Sequence, residues 1–394
     1  MRVHGTAVLV VLGVFVSCSE RGAAGKPPPA AALGRLHLLH AAGAATRLVL
    51  SPHGKRAAAE LGGRWRWEDH PAAPRAPLIK VIDVDRDATT DTAIGWALAV
   101  DDTGAVDYVA RQPDGSLALA RSHGGAPVAL VAGGEVELTA ATGADFYLAL
   151  ASDGHAADAL VRVARDTRKV VAKRSIHGAA ALAIVAGAPW LASLDPVTGE
   201  CRIEALDPSL APRWQVTVPG TAGDGGAILA GAADRAILVI GAQTDAGLAP
   251  HATLALDART GARLGAALPT IADGVDTLGA LAAVDGAAVA LAHYRPISAG
   301  SASVDPLLRR VVRLDLASSA LEAVFEPAPA AGPRRQLEQA LAPIALAWDA
   351  TRARLVVAPP SFAWSKQAGA PQPEPKSDGT GVGRDRPEVR GLVP

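Results

Sequence analysis

Aromatic side chains make up only 4% of this 394-residue chain, which also has two cysteines and one methionine. Two cysteines exclude a disulfide-built module and any four-cysteine zinc site. A surplus of basic charge is missing as well: 38 Lys and Arg face 39 Asp and Glu, for a net charge of −1. A nucleic-acid binder needs a basic excess to neutralise phosphates, so that class is excluded. The balance also gives no basis for long-range steering of charged substrates. Sequence signatures of common enzymes are lacking: there is no G-x-S-x-G elbow, H-E-x-x-H, P-loop or C-x-x-C. Long amphipathic helical patterns are scarce, and the one candidate, Arg334 to Leu341, reads better as a short connection or a strand.

What the chain does have is small apolar residues. Apolar side chains reach 49%, enough for a large core and too many for a disordered chain. Roughly a fifth of all residues are alanine, so that core is built from small groups in close packing.

The N-terminus reads as an export signal over residues 1–17. Arg2 and His4 form a short basic start, and Thr6 to Val16 is an apolar stretch too short to span a membrane as a mature helix. It ends in Phe15-Val16-Ser17-Cys18, which resembles the bacterial lipobox. The resemblance implies that Cys18 is acylated and becomes the first residue of the mature protein. Ser19 after it implies the outer membrane of a Gram-negative cell, facing the periplasm or the cell surface. Plain secretion and an uncleaved anchor are the alternatives. Residues 18–32, rich in Gly, Pro and Ala, form a tether. With Cys18 acylated, Cys201 stands alone and is most simply a small core residue.

From residue 33 to 367 one pattern recurs: alternating apolar strands closed by Asp- and Gly-containing turns. Second strands start near Thr46, Ala93, Phe146, Pro189, Arg235, Ala287 and Ile344, at spacings of about 43–57 residues. That is close to the roughly 40–50 residues of a propeller blade. The segments LIKVIDV, EVELTAA, AALAIVAG, GAILAGA and LGALAAV read as first strands, rich in the small residues a crowded centre requires. The expected fold is all-β: a seven-bladed propeller of four-stranded antiparallel blades, with a β-sandwich or two β-domains as the alternative. Arg35 to Leu39 is expected to begin the first blade, the alternative being that it completes the last. Residues 368–394 are polar and rich in Pro and Gly, and are expected to be a disordered tail.

Two segments carry family resemblances. Residues 48–69, with Ser51-Pro52-His53-Gly54-Lys55 and Trp67-Glu68-Asp69, resemble a WD40 blade. Residues 254–268, with Leu256-Asp257 and Thr260-Gly261, resemble the repeat of PQQ-type propellers, without that family's docking tryptophan in the same segment. Both imply a propeller and neither selects a subfamily.

One segment points to a ligand. Asp83, Asp85, Asp87 and Asp91 place carboxylates at positions 1, 3, 5 and 9 of a tight loop, and the carbonyl of Thr89 falls at position 7. Hard cations such as Ca²⁺ take six to eight oxygen ligands. The spacing resembles the calcium loop of FG-GAP propellers, set between the first two strands of a blade, and implies a structural calcium. A solvated acidic hairpin turn is the plainer alternative. Scattered histidines add little: His37 and His40 lie in a strand pattern with no third ligand near, and His70 follows the Trp67-Glu68-Asp69 run. Alternating Arg64-Trp65-Arg66-Trp67 reads as an outer strand. The expected function is a lipid-anchored binding or scaffold module for a protein partner in the cell envelope. The alternative is a propeller hydrolase or quinoprotein-type oxidoreductase with its residues gathered at the channel mouth.

Overall fold

The computed structural model describes residues 36–43, 45–61, 76–131, 133–152, 157–220, 225–231, 234–244, 247–265, 277–284, 288–294, 310–315, 321–325 and 344–359. The signal segment, Cys18, the tether, Gly62-Gly63, Arg64 to Trp67, His70, Arg334 to Leu341 and the tail lie outside the described residues.

The chain enters through β1 (Leu36–Leu38) and a single 3₁₀ turn, His40–Ala42. Four antiparallel sheets of four strands follow, each strand pairing with the next along the chain. The first holds β2 (Ala45–Leu50), β3 (Arg56–Leu61), β4 (Leu78–Asp83) and β5 (Ala88–Ile94). The second holds β6 (Trp96–Val100), β7 (Val106–Arg111), β8 (Leu117–Arg121) and β9 (Val128–Val131). The third holds β10 (Glu135–Ala141), β11 (Asp145–Ala151), β12 (Ala159–Ala164) and β13 (Val170–Ser175). The fourth holds β14 (Ala179–Val185), β15 (Ala188–Leu194), β16 (Glu200–Leu206) and β17 (Pro212–Pro219). A fifth, seven-stranded sheet runs through β18 (Gly225–Gly231), β19 (Arg235–Thr244), β20 (Gly247–Asp257), β21 (Thr277–Val284), β22 (Ala288–Tyr294), β23 (Arg310–Asp315) and β24 (Leu321–Phe325). The last sheet joins β25 (Ala345–Asp349) and β26 (Arg354–Ala358) to β1.

Burial follows position in each sheet. The second strand β11 is buried along its whole length, while the outer strands β13 and β17 alternate or stay exposed. That is the gradient of a propeller blade, whose outer edge meets water. The first strands β2, β6, β10, β14, β18 and β25, with β21 from the long sheet, touch in succession, and β25 returns to β2. They enclose a central channel.

Three expectations are corrected. The propeller has six blades, not seven: the described strands form six hydrogen-bonded sheets, and only four of these have four strands. The eleven-residue β20 reaches far enough for Leu248 to pair with Leu278 of β21, which fuses two expected units into one sheet. The ring is closed by β1, which runs parallel to β26 (Leu36 opposite Leu355, Leu38 opposite Val357) and so completes the last blade instead of starting the first. Finally, LIKVIDV is β4, the third strand of the first blade, paired with β3 from Arg56–Asp83 to Leu61–Leu78. The segment AIGWALAV is split at Gly95 between β5 and β6. Alternation gives strand positions but not which neighbour a strand pairs with, so the frame slips without leaving a mark in the pattern.

The core lies between adjacent blades. Ala58, Ile79 and Val81 meet Ala97, Val100 and Val106 between the first and second. Trp190, Cys201 and Ile203 meet Leu238, Leu254 and Leu256 between the fourth and fifth. Trp190 and Trp214 pack edge to face, ring centres 4.6 Å apart. Trp214 also lies on Gly261, where φ is +70° and a Cβ would come within 2.3 Å of the indole. Trp214 of the fourth blade thus packs against the β20 turn of the fifth.

Candidate binding channel

Inner strands that pack around a common axis leave backbone edges and alternate side chains facing one space. Here that space is a cavity of about 450 Å³ lined from every blade. Leu48, Trp96, Leu138, Leu182, Leu229, Leu281 and Leu346 give it an apolar wall. Its charged groups are Arg47 on β2, Glu60 on β3 and Glu137 on β10.

Arg47 and Glu60 stand opposite each other in the β2–β3 register. Arg47 Nη1 donates to Glu60 Oε1 at 3.1 Å and to the carbonyl of Ala97 at 2.6 Å. The amide of Ala97 donates to the same Glu60 oxygen at 2.6 Å. One ion pair therefore stitches the first blade to the second. Burial holds the Glu60 carboxyl above its ordinary range, outweighing the opposing pull of Arg47 and of the Ala97 amide. The carboxylate is 6% exposed as a residue, so a charged form is costly there. Apart from this pair, which belongs to one blade, the only ionisable side chain lining the cavity among the described residues is Glu137, itself engaged in an interaction.

A second cleft of about 380 Å³ lies between the end of β13 and strands β15 and β16, and carries Arg174, His177, Asp195, Arg202 and Glu204. Its central charges are spent on each other: Arg174 Nη2 reaches both oxygens of Glu204 at 2.9 and 3.0 Å.

The acidic loop expected to hold calcium sits in the β4–β5 turn, between the third and fourth strands of the first blade. Its carboxylates diverge to separate nitrogen donors. Asp83 Oδ2 accepts from Arg56, and its Oδ1 accepts from the amide of Arg86 at 3.0 Å. Asp85 takes the two arms of Arg352 at 2.7 and 3.1 Å. Asp87 accepts from the amides of His40 and Ala41 at 3.1 and 2.8 Å, and its φ is +49°. Asp91 lies 3.0 Å from His123 Nε2 and accepts from the amide of Thr92. Thr89 pairs with Ile82 and is exposed. Among the described residues no three His, Cys, Asp or Glu side chains form a group that could hold a metal ion. In this structure the loop's oxygens are taken up by arginines, amides and His123.

The same contacts have another use. Asp85 and Asp87 belong to the first blade; Arg352 lies in the β25–β26 turn and His40 follows β1. His37 Nε2 adds a contact of 2.9 Å to the carbonyl of Val84. Gly54, in the Ser-Pro-His-Gly-Lys turn, accepts from Arg352 and Arg354 at 3.2 and 3.3 Å. The acidic loop is the clasp of the ring.

No protein-family model matches this sequence, and no curated protein does. Among solved structures it is similar to the hydrazine synthase of Kuenenia stuttgartiensis (12% identity, TM-score 0.40, covering 71% of this chain and 65% of that one). It is also similar to a prolyl endopeptidase (11%, 0.46, 74% and 43%) and to the β-propeller domain of the trilobed protease from Pyrococcus furiosus (10%, 0.41, 72% and 95%). The chain thus spans less than two thirds of the first and less than half of the second. This likeness is one of fold alone.

The channel residues Arg47 and Glu60 were not singled out in the sequence. Their signal was there: each is the one charge inside an apolar strand, in ATRLVL and in the four buried residues of RAAAEL.

Proposed function

We propose that this protein is a binding module of the cell envelope, anchored to the outer membrane through acylated Cys18, whose propeller holds a protein partner at the membrane. What supports the binding reading is the channel wall. Propeller catalysis draws ionisable groups from several blades to one point, whereas this wall is built mainly of leucines, with one ion pair from the first blade and one further carboxylate, Glu137, from the third. Ligand sites of binding proteins are typically concave, mostly apolar and furnished with few polar groups. The anchor rests on the lipobox resemblance.

The test has two arms. Metabolic labelling with a fatty acid should tag the wild type in a Gram-negative host, and Cys18→Ala should release soluble protein. An unlabelled wild type refutes the anchor. Photo-crosslinking from Thr139 at the channel and from exposed Val197 should give a discrete adduct with one envelope protein. Turnover of a peptide or sugar substrate that is lost on Glu60→Gln would instead establish the enzyme.

A further inference from the structure

We propose that the central channel binds an apolar monocarboxylate, its chain against the leucine wall and its carboxylate on Arg47. The inference rests on reading the channel as a binding site and adds the class of small ligand. The wall comes first. Apolar side chains that face a 450 Å³ space, within the roughly 300–1,000 Å³ range of ligand pockets, lose their contact with water when an apolar molecule enters.

The head group follows from which charge faces that space. The Arg47 side chain is 32% exposed and that of Glu60 only 8%, so the guanidinium is the group presented to the channel. It is also held in place: its bonds to Glu60 and to Ala97 both use Nη1, and a guanidinium carries five N–H donors in a fixed fork. A carboxylate matches that fork with two parallel bonds, an amine does not, and a neutral hydroxyl gains no charge-assisted bond. Burial raises the Glu60 carboxyl, which lessens its opposition to a second anion beside Arg47. Glu137 also lines the cavity from β10, is itself engaged in an interaction, and sets a polar limit on one side.

The experiment titrates octanoate, 1-octanol and octylammonium into the soluble Cys18→Ala protein at pH 7, read by calorimetry and tryptophan fluorescence. Octanoate should bind saturably at one site, and the other two about tenfold more weakly or worse, the worth of a charge-assisted bond. Arg47→Met should lose about tenfold for octanoate and leave octanol unchanged. Should Arg47→Met fail to fold with Glu60 left unpaired, the double variant Arg47→Met/Glu60→Gln replaces it, and the head-group series on the wild type decides independently. The absence of saturable octanoate binding overturns the proposal. So does equal affinity for octanol or octylammonium, or a folded Arg47→Met protein that binds octanoate like the wild type. Failure here with the envelope crosslinks intact would overturn this ligand and leave the proposed function standing.

Discussion

Cys201 shows how a residue's chemistry is set by its neighbours. It is fully buried between Ile203, Leu194 and the facing strand β19, and loss of solvent pushes its thiol up to about 12. A thiol is nucleophilic only as thiolate, so Cys201 is structural. In the Cys18→Ala protein no thiol should react with an aromatic disulfide reagent under native conditions, and one should react after denaturation; fast native labelling would place Cys201 elsewhere. Gly261 is constrained twice, by φ of +70° and by the indole of Trp214. Gly261→Ala should therefore cost about 1–3 kcal/mol, from left-handed strain and displacement of the ring, and lower the melting temperature measurably. Gly115, with positive φ but open space around it, should tolerate alanine better.

Turns are the elements where charge does structural work. Asp101, Asp207 and Asp257 each accept backbone amides two to four residues ahead, at 2.7–3.0 Å, and Asp195 does the same. The Thr260 hydroxyl and amide hold Asp257 below the ordinary carboxylate value of 3.8, and the Thr198 and Val197 amides do so for Asp195. A carboxyl lowered on folding stabilises the fold above its unfolded pKa, and that contribution is lost as pH falls through the folded value. The contribution of these turn carboxyls should thus be flat from neutral pH down to about 5 and be lost below 3.8, as read by melting at successive pH values, while Glu60, raised by burial, works in the opposite sense above the ordinary carboxylate range. The clasp gives a sharper contrast. Asp87→Ala strips two amides of their acceptor and should cost about 1–2 kcal/mol, whereas Asp85→Ala, an exposed pair, should cost less than about 1. Neither effect should depend on calcium; a calcium-dependent rise in melting temperature that Asp85→Ala abolishes would restore the loop as a cation site.

At the scale of the whole molecule, the ring is held shut by little. β1 contributes three residues; the contacts around it tie 36–38 to 355–357 and 37–40 to 84–87, and Arg352 reaches Gly54 and Asp85. Deleting residues 1–42 removes the closing strand and the 3₁₀ turn that Asp87 caps. The truncated protein should melt at lower temperature and less cooperatively, because blades that contact only their neighbours lose one neighbour at the break. Truncation after Gln367 should shift the melting temperature by no more than about 2 °C, below roughly 1 kcal/mol; a large drop would make that segment part of the fold.

The all-β propeller was legible in the sequence because alternation and Asp-Gly turns are local: a strand of period two and a side-chain acceptor two residues from an amide are written within ten residues. EVELTAA, AALAIVAG, GAILAGA and LGALAAV fall on β10, β14, β18 and β21 as inner strands. Pairing is not local. Nothing within residues 247–257 says that Leu248 will meet Leu278, so the blade count came out as six only when the strands were hydrogen-bonded. The acidic run at 83–91 is equally visible in the chain, but the side chains that reach it come from 27 to 267 residues away, and a carboxylate's role is decided by the group that reaches it. The channel is the extreme case. Arg47 and Glu60 are thirteen residues apart, yet what makes them a site is the closed wall of strands from every blade, and that exists only once the ring has closed.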